Sequence, residues 1–397
     1  MNILFLFVGL PDNINDDGLF TSLISEFHKN GHEVSVATRG RNIKKTELRK
    51  DNGIDVLRIK CPEFTGVANK IKKALAYQEY IIKQTYYVKK YFKHKKIDII
   101  ISHSLPPELA LEVSTLKRYF NCKFYLLQTD YTWQDAVAYG YFSKNGPIGL
   151  YYRFWERWIF KLADFIGCPT KGNIDFISKE YPWVKPDAFR VFNFWSTPIA
   201  FEKSDLIKEQ LGLKDKFIAI YGGSVGPAQK LEHLVYLAEA CKDESNIIFL
   251  ILGKGSQVEA TRIFSEEKGL KNIKFLPFMK QNEYNQLLSS CNAGFIVLNE
   301  KHATPNFPSK TLSYFNFQIP ILASIDYVTD YGKFLDETKT GLWSYSGDVE
   351  TFKKNLLELY HKPELCEEIM RNQIEYFRSH MLPEHAYTAI INHINEK

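Results

Sequence analysis

The sequence lacks the markers of several protein classes. Its six cysteines stand singly, at positions 61, 122, 168, 241, 291 and 366, and no C-x-x-C pair occurs. That spacing disfavours both a disulfide framework and a cysteine metal site, and it is typical of a reducing, cytoplasmic compartment. No apolar run approaches the ~20 residues that span a bilayer. The N-terminus, "MNILFLFVGLPD", lacks the basic start and the cleavage site of a signal peptide, so we expect a soluble or peripheral protein.

Motifs of metal and dinucleotide chemistry are also missing. No D-x-D occurs, the histidines have no metal-ligand spacing, and neither a G-x-S-x-G elbow nor a G-x-G-x-x-G turn is present. A bound divalent metal and a nicotinamide or flavin cofactor are therefore not expected. The net charge is only +5, which is too small for a whole-molecule field that demands a nucleic acid as partner.

The apolar pattern predicts an α/β fold with two Rossmann-like domains. Short apolar runs such as "NILFLFVGL" alternate with helical patterns, and the series restarts after about residue 200 with "KFIAIYGG". Continuous apolar strands separated by helices indicate a parallel sheet covered on both faces, and 397 residues exceed the usual size of one core. We place the first domain at 1–198 and the second at 199–375. Residues 376–397 are expected to form a helix that crosses back to the first domain.

One helical stretch, from Lys70 to Lys96, is strongly basic. It holds nine lysines and a single acid, Glu79. Side chains that suit a buried stripe recur at spacings of three or four, namely Ala74, Tyr77, Ile81, Thr85, Val88 and Phe92. The lysines on the opposite face form either a solvated surface over a domain core or a surface for an anionic membrane.

The turns that follow strands in the second half carry Gly, Pro, Ser or Lys. Open α/β sheets bind ligands at the carboxyl ends of their strands, where glycines let amides approach a phosphate and lysines add positive charge. The candidates are Gly222, Gly223, Ser224, Lys230, Gly253, Phe278, Met279, Ser309 and Lys310. We expect Lys310 and the first amides of the helix that follows it to receive an anionic group. The alternative is an ordinary half-buried helix whose lysine reaches into water.

Three residues of the first half occupy similar positions. Gly18 opens a helix after the first strand, His103 follows the run "IIIS", and Asp130 follows "LLQT". Taken alone, His103 is interpreted as a packing or capping residue and Asp130 as a turn residue. Their place on the sheet edge that we expect to face the second domain favours a role at a ligand.

Together these stretches resemble the GT-B glycosyltransferases of family 4 over nearly the whole chain. The greatest similarity is to the bacterial surface-polysaccharide branch that includes N-acetyl-L-fucosamine transferases. "DYTWQDAVAYG" is similar to its D-x-W-P-…-G segment, and "YGGSVGPAQKLEHL" to its Y-x-G-x-x-G-x-x-Q turn. "FPSKTLSYFNFQIPILAS" resembles its P-x-K-…-Y-…-P-[IV] segment.

The resemblance implies two domains facing across a cleft, with the donor in the second and the acceptor in the first. It implies retaining, metal-independent and cofactor-free transfer of an N-acetylated hexosamine or deoxyhexosamine, with a UDP-sugar as the expected donor. The acceptor is expected to be a growing glycan on a polyprenyl diphosphate at the inner membrane face. The implied catalytic residues are His103, Asp130, Lys230 and Lys310. The implied donor contacts are Gly18, Gly222, Gly223, Ser224, Gly253, Phe278, Met279, Ser309, Ser313 and Tyr314.

Two departures from the family pattern keep other functions open. Ser313 stands where the second Glu of the usual E-x7-E signature would meet the ribose, and the usual Arg of the turn that contains Lys230 is missing. A nucleotide-sugar epimerase of the same fold is one alternative. A nucleotide-sugar-binding protein without catalytic activity is the other.

Overall fold

The computed structural model describes residues 1–16, 18–41, 43–62, 70–131 and 133–396, except for the side chains of Lys70, Ile71 and Lys73. The chain divides into two compact units. The first comprises Met1–Trp133, Phe142–Thr197 and Leu382–Lys397, and the second comprises Gln134–Tyr141 and Pro198–Met381. Residues 134–141, which we assigned to the first domain from the sequence, therefore belong to the second unit.

The first unit is built on an eight-stranded sheet. Its strands are β1 (Asn2–Phe7), β2 (Glu33–Arg39), β3 (Glu47–Asp51), β4 (Ile54–Ile59), β5 (Ile99–His103), β6 (Lys123–Leu127), β7 (Phe165–Cys168) and β8 (Phe189–Val191). Their order is β3-β4-β2-β1-β5-β6-β7-β8. All neighbouring pairs are parallel except β3 and β4. The apolar strands bury nearly every side chain, as a sheet covered on both faces requires.

Helices cover both faces of this sheet. They are α1 (Leu19–Lys29), α2 (Lys70–Tyr91), α3 (Leu109–Phe120), α5 (Pro147–Leu162), α6 (Lys171–Glu180) and α15 (Pro383–Asn395), with a 3-10 turn at Pro186–Ala188. The inner sides of α2, α3 and α5 share one hydrophobic core, and those of α1 and α15 share another. The terminal helix α15 is tied to the sheet by a hydrogen bond between His393 Nδ1 and Tyr125 Oη (3.2 Å).

The basic helix α2 packs on the core of the first unit. Ile81, Val88 and Phe92 are fully buried, as the stripe predicts. Ala74 is exposed, and the first buried residue among the described side chains of this helix is Ala76. The side chains of Lys70 and Lys73 lie outside the described residues. Among the described helices, none combines the length and the apolar content that crossing a bilayer needs.

Glu112 of α3 is a buried acid in the first unit. Neither of its carboxyl oxygens has a hydrogen-bond partner, and burial raises the pKa of the group well above its usual range. Because the folded state binds this proton more tightly than the unfolded chain, stability falls as pH rises from about 4.5. We expect Glu112→Gln to add roughly 1–3 kcal/mol of unfolding free energy at pH 8 and less at pH 5. Thermal melts at both pH values test this, and an equal gain at both would contradict it; exposed Glu375→Gln is the control.

The second unit is built on a six-stranded, fully parallel sheet. Its strands are β9 (Phe217–Ser224), β10 (Ile247–Lys254), β11 (Ile273–Leu276), β12 (Ala293–Val297), β13 (Ile321–Ile325) and β14 (Gly341–Tyr345). Their order is β11-β10-β9-β12-β13-β14. The helices are α4 (Trp133–Ala138, whose first residue belongs to the first unit), α7 (Leu206–Gln210), α8 (Glu232–Ala240), α9 (Val258–Glu267), α10 (Gln281–Ser289), α11 (Lys310–Asn316), α12 (Tyr331–Thr338), α13 (Val349–His361) and α14 (Pro363–His380).

Candidate functional site

Two loops flank the point at which the strand order of the second sheet reverses. β9 lies between β10 and β12, so the chain turns to opposite sides as it leaves β9 and β12. In open α/β sheets a crevice for ligands forms at the carboxyl ends of such a pair of strands. Residues 225–231 follow β9, and residues 298–309 follow β12 and lead into α11. The candidate site is therefore centred on these two loops.

Lys310, the first residue of α11, is a half-buried lysine at this edge. Its Nζ lies 4.7 Å from the centre of the Tyr221 ring, on the strand β9. Burial lowers the pKa of this ammonium to about 8. Among the described residues, no carboxylate forms an ion pair with it. A positive charge held in a poorly solvated place without a counterion is the arrangement that an incoming anion would stabilise.

Lys230, in contrast, already has a partner. Its Nζ forms an ion pair and hydrogen bond with Glu300, and its backbone φ is +44°, in the left-handed region. Burial works against the charge of Glu300, but the bond from Lys230 brings the pKa of this carboxyl below its usual value. We predicted Lys230 as a cation that offsets charge on the donor diphosphate, and in the structure its charge is paired with Glu300.

A cavity of about 390 Å³ lies beside this ion pair. His233 Nε2 is 3.5 Å from Glu300 Oε2, and His233 Nδ1 is 2.9 Å from Ser346 Oγ. Burial and the nearby Lys230 charge lower the pKa of His233. Ser324 also lines the cavity. Glu300 thus connects Lys230 to a buried, neutral histidine.

Other groups of the protein pack closely against the glycines of the site. A Cβ on Gly222 would lie 2.1 Å from the hydroxyl of Tyr284, and one on Gly253 would lie 2.2 Å from the carbonyl oxygen of Gly223. Gly223 itself has φ +133°, and a Cβ there would lie 3.0 Å from Cε of Lys310. We predicted that these glycines make room for a phosphate. In this structure Gly222 and Gly253 make room for the protein itself, and Gly223 makes room for Lys310.

The start of α11 offers fewer open amides than expected. The amide of Thr311 donates to the Pro308 carbonyl (3.0 Å), and the amide of Leu312 donates to the Ser309 carbonyl (3.2 Å). Ser309 is exposed, and its side chain makes no capping hydrogen bond. Two of the first amides of this helix are therefore already hydrogen-bonded, and the prediction that an anionic group binds here rests mainly on the ammonium of Lys310.

Tyr314 belongs to the core of the second unit. It is 1% exposed, and its hydroxyl is within hydrogen-bond distance of the carbonyl oxygens of Ile220 (3.2 Å) and Phe295 (3.0 Å). We predicted a contact with the donor, but a side chain this enclosed holds β9 and β12 together instead. Ser313, one residue earlier, is half-buried.

The loop after β11 presents an aromatic ring to solvent. Phe278 is 66% exposed, and Nζ of Lys254 lies 3.7 Å from its ring centre. Met279 is half-buried beside it in the chain. Lys254 pairs in the β10–β9 ladder with Ser224, which is exposed at the end of β9. An exposed aromatic ring can stack on a planar group of a ligand, and the adjacent ammonium can attract a negative charge on the same ligand.

A hydrogen-bond network that the sequence does not predict fixes the loop after β12. Asp135 of α4 accepts a hydrogen bond from the Ala303 amide (2.9 Å) and one from Thr304 Oγ1 (3.0 Å). His302 Nδ1 lies 3.3 Å from Asp135 Oδ2, and the Tyr139 hydroxyl contacts the same ring at 3.1 Å. No spacing connects Asp135 and His302 in the sequence. Their contact exists only because residues 134–141 fold with the second unit.

His302 carries a proton more readily than an ordinary histidine. Burial disfavours its charge, but the hydrogen bond and charge of Asp135 outweigh that effect and raise its pKa. Its Nε2 faces the Ala228 carbonyl at 3.1 Å. The ring thereby links the loop after β12 to the loop after β9, and it supports both loops of the candidate site.

In the first unit, His103 is a neutral, half-buried ring. Nδ1 accepts a hydrogen bond from the Leu105 amide (3.1 Å), and the ring stacks on Phe7 and Phe20 at centre distances of 5.6 and 5.5 Å. Burial lowers its pKa to about 4. With Nδ1 occupied as an acceptor, the proton sits on Nε2, and the ring can offer that N–H as a donor.

Asp130 and Gly18 lie at the same edge of the first sheet. Asp130 is exposed, and its carbonyl accepts a hydrogen bond from Ser104 Oγ (3.3 Å), in the residue after His103. Gly18 caps the start of α1, and its carbonyl accepts from Ser22 Oγ (2.9 Å). His103, Asp130 and Gly18 are thus grouped in the first unit, and the lysines are grouped in the second. Among the described residues, no cluster of three or more His, Cys, Asp and Glu side chains could hold a metal.

Comparisons with known sequences identify similar proteins. The family model of Glycosyl transferases group 1 matches residues 203–376. A putative colanic acid biosynthesis glycosyl transferase of Escherichia coli strain K12, WcaI, is 31% identical over 107 residues, covering 27% of this chain and 26% of that protein. A probable glycosyltransferase of Pseudomonas aeruginosa, WbjE, is 22% identical, covering 62% and 61%. The chain therefore aligns with less than two thirds of the length of these relatives.

Comparisons with solved structures extend over the whole chain. WaaG, a glycosyltransferase involved in lipopolysaccharide biosynthesis, has a TM-score of 0.66 at 14% identity and covers 98% of both chains. HepE of Anabaena, solved with UDP and glucose, has a TM-score of 0.72 at 13% identity and covers 100% of both. At such identities the likeness shows the fold. The predicted GT-B fold is confirmed, and residues 203–376, within the second unit, match the Glycosyl transferases group 1 family.

Proposed function

We propose that this protein is a glycosyltransferase that moves a sugar from a nucleotide diphosphate sugar to a glycan in bacterial surface-polysaccharide synthesis. The observation that carries the proposal is the position of Lys310. This half-buried cation lies at the sheet edge where the strand order of the second unit reverses, and residues 203–376 of that unit match Glycosyl transferases group 1. The names of WcaI and WaaG support the polysaccharide setting, and the UDP bound to HepE supports a UDP-sugar donor.

The departing diphosphate explains the need for Lys310. As the bond between the anomeric carbon and the diphosphate oxygen breaks, negative charge grows on the leaving group, and a fixed cation nearby lowers the barrier. Lys230 can contribute only by exchanging its bond to Glu300 for one to the diphosphate. In this proposal Glu300 holds Lys230 in place until the donor arrives.

In this proposal His103 contacts the transferred sugar, and Asp130 contacts the acceptor. The neutral His103 ring offers Nε2–H to a sugar hydroxyl, and its low pKa makes it a poor proton acceptor. We propose retention of the anomeric configuration. The acceptor oxygen bonds to the anomeric carbon on the face from which the diphosphate leaves, and the acceptor proton passes to a leaving diphosphate oxygen.

The finer features of the proposal follow the family 4 resemblance. The transferred sugar is an N-acetylated hexosamine or deoxyhexosamine, the acceptor is a glycan on a polyprenyl diphosphate, and no cofactor or metal takes part besides the donor. Phe278 and Met279 contact the nucleobase of the donor, and Ser313 contacts its ribose. The protein works in the cytoplasm or on the inner face of the membrane, which α2 contacts through its lysines.

His103→Gln is expected to lower kcat by about 10²-fold and to change the Kd for UDP by less than about twofold, because the lost contact is to the sugar and strengthens in the transition state. Turnover and calorimetric binding of UDP check this. Exposed His361→Gln is the matched control. An equal loss of kcat and UDP affinity would assign His103 a structural role.

The proposal is tested with a panel of UDP-sugars. Donors that bind the native protein raise its melting temperature, and each such donor is then incubated with and without a lipid-linked glycan. Transfer only in the presence of the acceptor supports the proposed function. A new nucleotide sugar formed without acceptor would favour the epimerase, and binding without any product would favour a non-catalytic binding protein.

A further inference from the structure

The outer side of α5 is unusually apolar for an exposed surface. Ile148, Leu150, Tyr151 and Phe154 are between 42% and 58% exposed. Leu150 and Phe154 are four residues apart and share one face of the helix, whereas Glu156 is buried on the inner side. Exposed large apolar side chains that cluster in this way mark a surface that contacts something apolar.

The outer side of α2 has the same character. Leu75, Ile82 and Tyr86 are 58% to 64% exposed. Their spacings of seven and four residues place them on one face, opposite the buried residues Ile81 and Val88 in the core. Both helices therefore carry an apolar strip on the side that faces away from their own unit.

Contacts across α3 join the two strips into one surface. The Lys89 ammonium of α2 lies 5.1 Å from the ring centre of Tyr119 on α3, and the Tyr151 hydroxyl of α5 donates to Glu108 Oε1 at the start of α3 (2.8 Å). All three helices pack on the same hydrophobic core. We call this side of the first unit the α2–α5 surface; its apolar members are Leu75, Ile82, Tyr86, Tyr119, Ile148, Leu150, Tyr151 and Phe154.

The charges on the α2–α5 surface are mostly positive. Of the acids in these helices, Glu112 and Glu156 are buried, and Glu79 is partly exposed but paired with Lys83. Exposed basic side chains on and next to these helices are Lys72, Lys90, Lys93, Arg118, Arg157 and Lys161.

We infer that the α2–α5 surface docks on an anionic lipid bilayer, with the apolar strips of α5 and α2 entering the interfacial layer. Aromatic and aliphatic side chains partition into that layer, while lysines and arginines beside them reach the anionic headgroups. This goes beyond charge attraction by α2, because α5 supplies the larger apolar strip. It rests on the proposed function only in that a lipid-linked acceptor gives the docking a purpose.

A second copy of the chain fits this surface less well. Two copies meeting through it would bring basic side chains against basic side chains, which disfavours association. An anionic bilayer satisfies the charges and the apolar strips at once.

The test compares the full chain with Leu150→Ser/Phe154→Ser in sedimentation with vesicles of phosphatidylcholine and phosphatidylglycerol in equal parts. Both side chains are exposed, so the fold should survive, and melting curves verify that. We expect at least about a tenfold loss of vesicle affinity in the variant and little binding of either protein to pure phosphatidylcholine. The control, Leu206→Ser/Ile263→Ser, removes exposed apolar side chains from the second unit and should bind like the unchanged protein.

Unchanged vesicle affinity in the α5 variant would overturn the inference, because charge alone would then explain binding. Loss of a dimer in sedimentation velocity, with vesicle binding unaffected, would also overturn it and assign the surface to a second copy. Transfer to a water-soluble acceptor analogue should be the same in both proteins, so failure of the docking inference is distinguishable from failure of the proposed function.

Discussion

Lys310→Met is expected to reduce turnover by at least about 10²-fold and, at the same time, to raise the melting temperature. The loss follows from removing a preorganised cation that offsets charge on the leaving diphosphate. The gain follows from the pKa of about 8, which shows that the folded protein disfavours the charged ammonium. At pH 7 the stabilisation is roughly 1–3 kcal/mol. Opposite signs for activity and stability are typical of a residue kept for function.

Steady-state transfer and thermal melts of the same preparation measure both effects. Lys333→Met, at an exposed lysine paired with Glu337, is the control and should change neither quantity much. Near-normal turnover in Lys310→Met would remove this lysine from the mechanism. Lower stability together with lower activity would show that its contact with the Tyr221 ring is structural.

Gly253→Ala is expected to disrupt the second unit itself. The new methyl group would lie 2.2 Å from the Gly223 carbonyl oxygen, and both residues are paired in the β9–β10 ladder, so neither backbone can move aside without breaking pairing. We expect a loss of about 3 kcal/mol or more in unfolding free energy. Donor affinity should fall with it, because the strand ends carry Gly223 and, next to it, Lys310.

Thermal unfolding and UDP binding measure the effect of Gly253→Ala. Gly146→Ala is the matched control, since its Cβ would meet only ordinary contacts, at 3.4 Å or more, in the first unit. A stable Gly253→Ala protein with normal UDP affinity would show that the strand ends can separate, and that their close packing does not hold the site.

The sheets are predictable where the strands are buried on both faces. The apolar runs "KFIAIYGG" of β9 and "NIIFLILG" of β10 are continuous because helices cover them, and apolar content alone identifies such strands. β3, "ELRKD", is different. It is an antiparallel edge strand with mostly exposed, charged side chains, so its pairing depends on β4 and leaves no trace in its own pattern.

The candidate site is predictable in position and less so in chemistry. The turn residues that follow the strands predict that Lys310 lies at the carboxyl edge of the second sheet. The prediction holds because all strands of this sheet are parallel, so the turns that follow them lie at the same edge. The pairing of Lys230 with Glu300 and the enclosure of Tyr314 depend on how side chains pack between loops distant in sequence. The link between Asp135 and His302 is of the same kind.

The most direct measurement is the proton uptake that accompanies donor binding. Titration calorimetry with UDP-N-acetylglucosamine, whose diphosphate does not titrate near pH 8, is run in buffers of different ionisation enthalpy. A diphosphate beside Lys310 raises the pKa of its ammonium above the value of about 8 in the unliganded protein. We therefore predict uptake of about half a proton at pH 8, affinity that falls as pH rises further, and no uptake in Lys310→Met. Binding with no proton uptake, or the same uptake in the variant, would contradict the account.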